Sequence, residues 1–430
     1  MLRKAKLKRI IQSKFVKNTS IYTISDILNK MVPFVLLPVL TRYLTPEDYG
    51  IIAMFFVFTA ILGIVMTLET NTAISVNYFK ISRKKLKVYI ANILLIIAIA
   101  TSITFIFMLI FSSWFAQILA IPTEWLFVGI IVTLLQFITT INLVLWQSEH
   151  NPIPLGIYQI LQTIVNLSLS LILIIGFNMG WEGRLIAVVT ASVLFGMMSF
   201  VFLFKRDYVE FKVNKNDIKD ALKFGVPLLP HALSVWFRTG IDRVFLTSLV
   251  SASATGVYTV GFQIASVITI LTTAFNKAYA PHLFEKLKKI TENEKHKLVK
   301  YAYIYFFGLL VLATILSLSA PFLIDIFLGK SFLSSKKYVS WIAFGFAFYG
   351  MYSMVVNYVL YTKQTVYLSY VTFSVSLLHV GLSYILISHY GALGAAQATT
   401  ITSFLTFAGV WWLSNRLYPM PWLGKKGYDK

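Results

Sequence analysis

A few charged residues interrupt stretches of sequence that are otherwise apolar enough to cross a bilayer. Asp26 and Lys30 lie four residues apart, on one face of a helix. Glu69, with Asn71 close by, has no base near it in sequence. Further on, His231, Ser234, Arg238 and Asp242 fall on one helical stripe, followed at once by Arg243. Lys277 sits beside Asn276, and His379 lies in a later apolar segment. A charge near the centre of a membrane helix costs at least ~2.5–3.5 kcal/mol, so each of these residues needs a partner or a use. Guanidinium and ammonium groups can hold an anionic group, which makes Arg238, Lys277, Arg243 and Lys30 the candidate binding residues. A carboxylate in a dry helix interior can exchange a proton, which makes Glu69, Asp26 and Asp242 the candidate coupling residues. A plainer use exists for several of them. Asp26–Lys30 and Arg238–Asp242 have the spacing of neutralising pairs, and Arg243 and Lys277 stand near span ends where long side chains snorkel.

Other chemistries have no residues to carry them. With no cysteine, disulfides and thiolate metal sites are excluded. Gly329-Lys330 and Gly424-Lys425 lack the upstream glycine of a phosphate-binding loop. No His-Glu-x-x-His occurs, and the six histidines are scattered. No outer loop is long enough to present paired acids for glycosyl transfer. The reading is therefore a non-enzyme with no catalytic residue, metal or cofactor.

The elements that must position these groups are membrane helices. Hydrophobic residues make up 57% of the 430-residue chain and charged residues 13%, against roughly 25% charged in soluble domains. Apolar segments of about 20 residues or more are expected near 19–43, 49–78, 88–112, 124–147, 154–177, 183–204, 219–250, 255–281, 300–324, 336–361, 365–389 and 393–415. The fold class is all-α integral membrane, with about twelve spans. In the fourth and fifth, Gln136, Asn142, Gln159, Gln162 and Asn166 are polar but neutral.

Basic residues gather in the amino-terminal tail, at 80–87, at 205–219, at 286–297 and in the carboxyl tail. The intervening loops are nearly bare, apart from Lys330, Lys336 and Lys337. Positive loops stay cytoplasmic, which places both termini inside a multi-pass protein of the cell membrane. The formal net charge of +21 is thus a set of anchors beside anionic membrane lipids, and no nucleic-acid partner is expected. The first apolar stretch lacks a small-residue cleavage site and reads as a retained span.

The chain also repeats itself. Leu40-Thr41-Arg42-Tyr43-Leu44-Thr45-Pro46-Glu47-Asp48-Tyr49-Gly50 corresponds to the segment from Leu246-Thr247 to Thr255-Gly256. Gly180-Trp181-Glu182-Gly183 corresponds to Gly391-Ala392-Leu393-Gly394. An even number of spans per half makes these parallel repeats: two six-helix lobes that rock about a seam, where a substrate would sit. The lobes are expected at 1–204 and 219–430, joined by a cytoplasmic linker at 205–218. Pro33 and Pro38 in the first span, and Pro227 and Pro230 opening the seventh, predict bends at matching places.

Phe224-Gly225-Val226-Pro227-Leu228-Leu229-Pro230, followed by Asp242-Arg243, resembles the polysaccharide repeat-unit flippases (Wzx-type) that export O-antigen, capsule and exopolysaccharide units. So does the Thr41-Arg42 to Gly50 turn. These flippases share a superfamily with MATE drug antiporters and lipid II flippases. The resemblance covers essentially the whole chain through loose motifs. It implies a MATE-like, V-shaped pair of six-helix bundles around a cationic cavity. It also implies movement of undecaprenyl-pyrophosphate-linked oligosaccharide from the inner to the outer leaflet, with a polysaccharide polymerase and chain-length machinery as partners. The alternatives are a small-molecule cation antiporter of the same fold, which would want acidic cavities, and a membrane polymerase, which would want a large outer loop.

Overall fold

The structure is a computed structural model and describes residues 33–422, which are helical with connecting turns and contain no strand. Helix α1 covers 33–43 in its described part. It is followed by α2 (Pro46–Thr67), α3 (Asn71–Tyr78), α4 (Arg83–Leu119), α5 (Thr123–Ser148), α6 (Pro152–Leu171) and α7 (Gly180–Lys205). Then come α8 (Lys215–Gly225), α9 (Leu229–Leu249), α10 (Ala252–Ala265), α11 (Val267–Leu287), α12 (Glu292–Phe327), α13 (Lys336–Tyr361), α14 (Thr365–Tyr390) and α15 (Ala392–Leu417). Among the described residues, nine helical segments are long and apolar enough to cross a membrane. Helices α9 and α15 fall outside that set for different reasons. Helix α9 carries Arg238, Asp242 and Arg243 within a few turns. Helix α15 is rich in Ala, Gly and Thr, and it buries that small-residue face, including Gly394, Ala395, Ala398 and Thr402, as membrane helices do where backbones approach closely. Most of the expected first span, with Asp26 and Lys30, lies outside the described residues.

The residues pack into two compact units. The first holds Ile51–Leu233 with the described residues up to Leu36, and the second holds Leu37–Gly50 and Ser234 onward. In the first, α5 is the central helix, packed by α3, α4, α6 and α7. In the second, α13 is central, packed by α10, α11, α12 and α15. These are the fourth expected spans of the two sequence halves, so the repeat extends to which helix each unit is built around.

Three expected spans are not continuous helices. The segment 49–78 breaks after Thr67, because Leu68 and Glu69 both take left-handed backbone conformations (φ 48° and 55°), which non-glycine residues adopt only where the surroundings impose them. The break rests on Gly225, where an added Cβ would lie 2.1 Å from the Leu68 carbonyl oxygen. The glycine of the Phe224-Gly225-Val226-Pro227 motif is thus a seat for a kinked neighbour. The segment 219–250 is also divided: α8 is a separate amphipathic helix, and a 3-10 turn over Val226–Leu228 precedes α9. Pro227 lies in that turn and Pro230 in the first turn of α9, where a missing amide hydrogen costs nothing. The segment 255–281 breaks at Ser266, between α10 and α11.

On the lysine-rich side of the first unit, a polar cluster ties α5 to the end of α7. Arg206 pairs with Glu149 at 2.6 Å and donates to Asn142 Oδ1 at 2.7 Å. Its guanidinium lies 5.0 Å from the Trp146 ring centre. Arg83 stacks 3.3 Å over the Tyr208 ring and donates to the Arg206 carbonyl at 2.8 Å. The Tyr208 hydroxyl donates to Glu149; burial, then that bond to a carboxylate, push its phenol up from the ordinary value.

Candidate functional site

Helix α9 separates its charges onto different surroundings within the second unit. Arg238 lines a cavity of about 250 Å³, together with Phe262, Ser266, Phe346, Tyr349 and Thr399. Its guanidinium carbon lies 5.6 Å from the Tyr349 ring centre, within range of a cation–π attraction. Its Nε is buried with no hydrogen-bond partner among the described residues. A guanidinium that is partly desolvated and incompletely bonded, on the wall of a cavity, is suited to an anionic group arriving from outside. The break at Ser266 helps to shape that cavity, since Ser266 and, on its two sides, Phe262 and Thr269 all line it.

Asp242, one turn further on, is 2% exposed and does not pair with Arg238. Its Oδ1 accepts from Ser383 Oγ at 2.6 Å and lies 3.2 Å from His379 Nε2. Its Oδ2 accepts from Thr399 Oγ1 at 2.9 Å and from the Tyr258 hydroxyl at 3.2 Å. Four side chains from α10, α14 and α15 thus converge on one carboxylate. The neutralising pair that sequence spacing allows is displaced by this stronger set.

His379 Nδ1 in turn faces Thr402 Oγ1 at 2.9 Å, and that hydroxyl is also 2.7 Å from the Ala398 carbonyl oxygen. The Thr402 hydroxyl thus has two acceptors within reach, His379 Nδ1 and the Ala398 carbonyl, and its rotation decides which of them it serves. Thr399 connects this pair to the cavity, because it bonds Asp242 and also lines the Arg238 pocket.

Arg243 does not snorkel. It is 8% exposed, donates to Thr259 Oγ1 at 3.2 Å and to the Thr239 carbonyl, and lies 4.4 Å over the Phe262 ring. Its donors are turned to its own unit, a structural arrangement. Lys277 is exposed on α11 and does not line the Arg238 cavity. Its neighbour Asn276 accepts from Asn357 Nδ2 at 2.8 Å. Glu69 is half-buried at the break between α2 and α3, so it is not inside a helix as its sequence position suggests. His231, far from it in sequence, lies near it in the fold.

Sequence reasoning missed three contributors. Tyr258, Ser383 and Thr399 are ordinary hydroxyl residues in apolar helices, and only the fold gathers them. Arg184, near the start of α7, donates to Asn166 Oδ1 at 2.5 Å and Ser170 Oγ at 2.6 Å. Its signal was Asn166 within an apolar segment, a polar group that needs a partner.

With this geometry in hand, comparison with known proteins is informative. Residues 15–287 match the family described as "Polysaccharide biosynthesis protein". The chain is 26% identical over 409 residues to the "Lsg locus putative protein 1" of Haemophilus influenzae, covering 91% of this chain and 98% of that protein. It is 24% identical over 425 residues to the "Capsular polysaccharide biosynthesis protein CapF" of Staphylococcus aureus, covering 94% and 100%. Among solved structures, the lipid II flippase MurJ in an inward closed conformation aligns with a TM-score of 0.72 at 16% identity, over 93% of this chain and 87% of that one. An inward-facing multidrug transporter of the MATE family aligns with a TM-score of 0.69 at 16% identity, over 90% and 95%. The fold is that of these transporters.

Proposed function

The chain belongs to the polysaccharide biosynthesis protein family, and from that membership we propose that it is a membrane flippase for lipid-linked oligosaccharides. The cargo is an undecaprenyl-pyrophosphate-linked repeat unit, moved from the inner to the outer leaflet of the cytoplasmic membrane by alternating access. A polymerase and chain-length machinery would take up the product. The observation that carries this reading is Arg238, whose incompletely bonded guanidinium faces the cavity in the second unit. A pyrophosphate or an acidic sugar satisfies such a group. Cation antiport by the same fold fits less well, since the acid nearest the cavity, Asp242, is already saturated by Tyr258, His379, Ser383 and Thr399.

Coupling, on this reading, resides in the Asp242–His379 pair. Thr399, which bonds Asp242 and lines the cavity, links that pair to the Arg238 wall. Glu69 remains a second coupling candidate. Lys277 and Lys30 are kept as candidate binding cations, Lys30 lying outside the described residues, whereas Arg243 positions α9. The test is flux of a fluorescent lipid-linked oligosaccharide in proteoliposomes. Uptake that depends on Arg238 supports the proposal. Equal flux of the Arg238→Ala variant, or transport of small organic cations in its place, overturns it.

A further inference from the structure

On the lysine-rich side of the first unit, a groove of about 380 Å³ lies among α4, α5 and α7. Leu94, Ala98, Leu134, Ile138 and Phe200 line it from the helices. The non-helical segment 208–214 adds Phe211, Lys212 and Val213. That segment is held in place. Asn92 on α4 is 1% exposed; its amide nitrogen donates to the Lys212 carbonyl at 2.9 Å, and its Oδ1 accepts from the Asn214 N–H at 2.9 Å. A buried amide side chain is therefore committed to fixing the peptide groups on both sides of Val213. Yet the side chains so positioned are apolar and open: Phe211 is 73% exposed and Val213 70%.

Apolar side chains clamped outward beside a membrane-spanning helix are matched to hydrocarbon. Lys212 is the one charged side chain in the lining. The nearby acid Asp207 is taken by Lys87, whereas Lys205 and Lys215 on either side of the segment are exposed. Glu210 in the same segment is exposed but does not line the groove, and Lys205, Lys212 and Lys215 outnumber it, which favours an anionic headgroup.

We infer that this groove is a binding site for one anionic phospholipid, with an acyl chain among Leu94, Ala98, Leu134 and Ile138 and the phosphate on Lys212. The site is separate from the Arg238 cavity and does not depend on what that cavity transports.

The test uses the full chain in nanodiscs of phosphatidylcholine with a minor fraction of phosphatidylglycerol, counting retained lipids by native mass spectrometry. One phosphatidylglycerol per chain is expected to be retained over phosphatidylcholine. Lys212→Gln should weaken that retention about fivefold, the effect of one lysine near an anionic surface. Lys223→Gln, the same charge change outside the groove, should not. Ala98→Trp, at an exposed alanine, fills the groove and should abolish retention. Val213→Asp, also exposed, provides a second disruption if the tryptophan variant folds poorly. Retention that is unchanged in Lys212→Gln and Val213→Asp overturns the inference. So does displacement of the phosphatidylglycerol by added undecaprenyl phosphate, which would assign the groove to the cargo's tail.

Discussion

Gly50 and Gly256 occupy corresponding places in the internal repeat, and each lies against the backbone of the other's helix start. A Cβ built on Gly50 would sit 1.9 Å from the carbonyl oxygen of Ala252, and one on Gly256 would sit 1.9 Å from that of Pro46. Pro46 and Ala252 are themselves counterparts. The contact is thus reciprocal: two helix N-termini cross so closely that neither tolerates a side chain. This is the physical content of the repeated glycine at the end of the Thr45-Pro46-Glu47-Asp48-Tyr49-Gly50 turn.

Gly50→Ala and Gly256→Ala should each destabilise the protein by at least about 2–3 kcal/mol, since backbone atoms rather than flexible side-chain ends must move. Gly63→Ala, on the same helix as Gly50 but with nothing near its Cβ position, should be neutral or stabilising by up to ~1 kcal/mol. Thermal unfolding of the three variants in detergent compares them directly. Equal stability across the set would mean that the close crossing does not persist in the membrane protein.

Arg238→Ala should reduce lipid-linked oligosaccharide flux by roughly tenfold to a hundredfold, the range of a charge-assisted hydrogen bond of about 1.5–3 kcal/mol. Arg238→Lys should fall between, because it keeps the charge and loses the planar fork. Membrane expression should be unaffected, as the side chain is only partly buried. Arg243→Ala should behave oppositely, lowering expression and thermal stability, because its guanidinium donates within its own unit.

Proton coupling is tested by gradient response. In proteoliposomes, native flux should change with an imposed pH difference. Asp242→Asn and His379→Gln should transport at a rate indifferent to it, while Glu69→Gln keeps the response. The reverse pattern would transfer the coupling role to Glu69 and leave Asp242–His379 as a packing pair.

Glu149→Gln should lower the melting temperature, with a cost of about 1–3 kcal/mol, because Arg206 then loses its charged partner while still enclosed by Trp146 and Tyr208. Substrate selectivity should not change. A double variant with Arg206→Gln should recover part of the loss, which separates a specific pair from general disruption of the cluster.

The orientation is open to a direct check, since the chain has no cysteine. Cysteines introduced singly at Ser251 and Asn293 should react with an impermeant thiol reagent from opposite sides of intact cells. Reaction of both from outside would reject the placement of the lysine-rich loops in the cytoplasm.

The sequence by itself determined the membrane class, the family and the repeat. Long apolar runs and segregated lysines act locally, so they are readable without coordinates. The repeat was legible because counterparts such as Gly50 and Gly256 serve the same local geometry. It was the tertiary structure that decided which charges are free to act. Arg238 and Asp242 share a helical stripe and look like a pair. Helices α10, α14 and α15 bring Tyr258, His379, Ser383 and Thr399 to the carboxylate and leave the guanidinium facing a cavity. Glu69 looked like a carboxylate inside a helix, and the break at Leu68–Glu69 exists only because Gly225, remote in sequence, leaves room for it. Hydrogen bonds and close backbone contacts between distant segments have no periodic signature, so spacing along one helix cannot anticipate them.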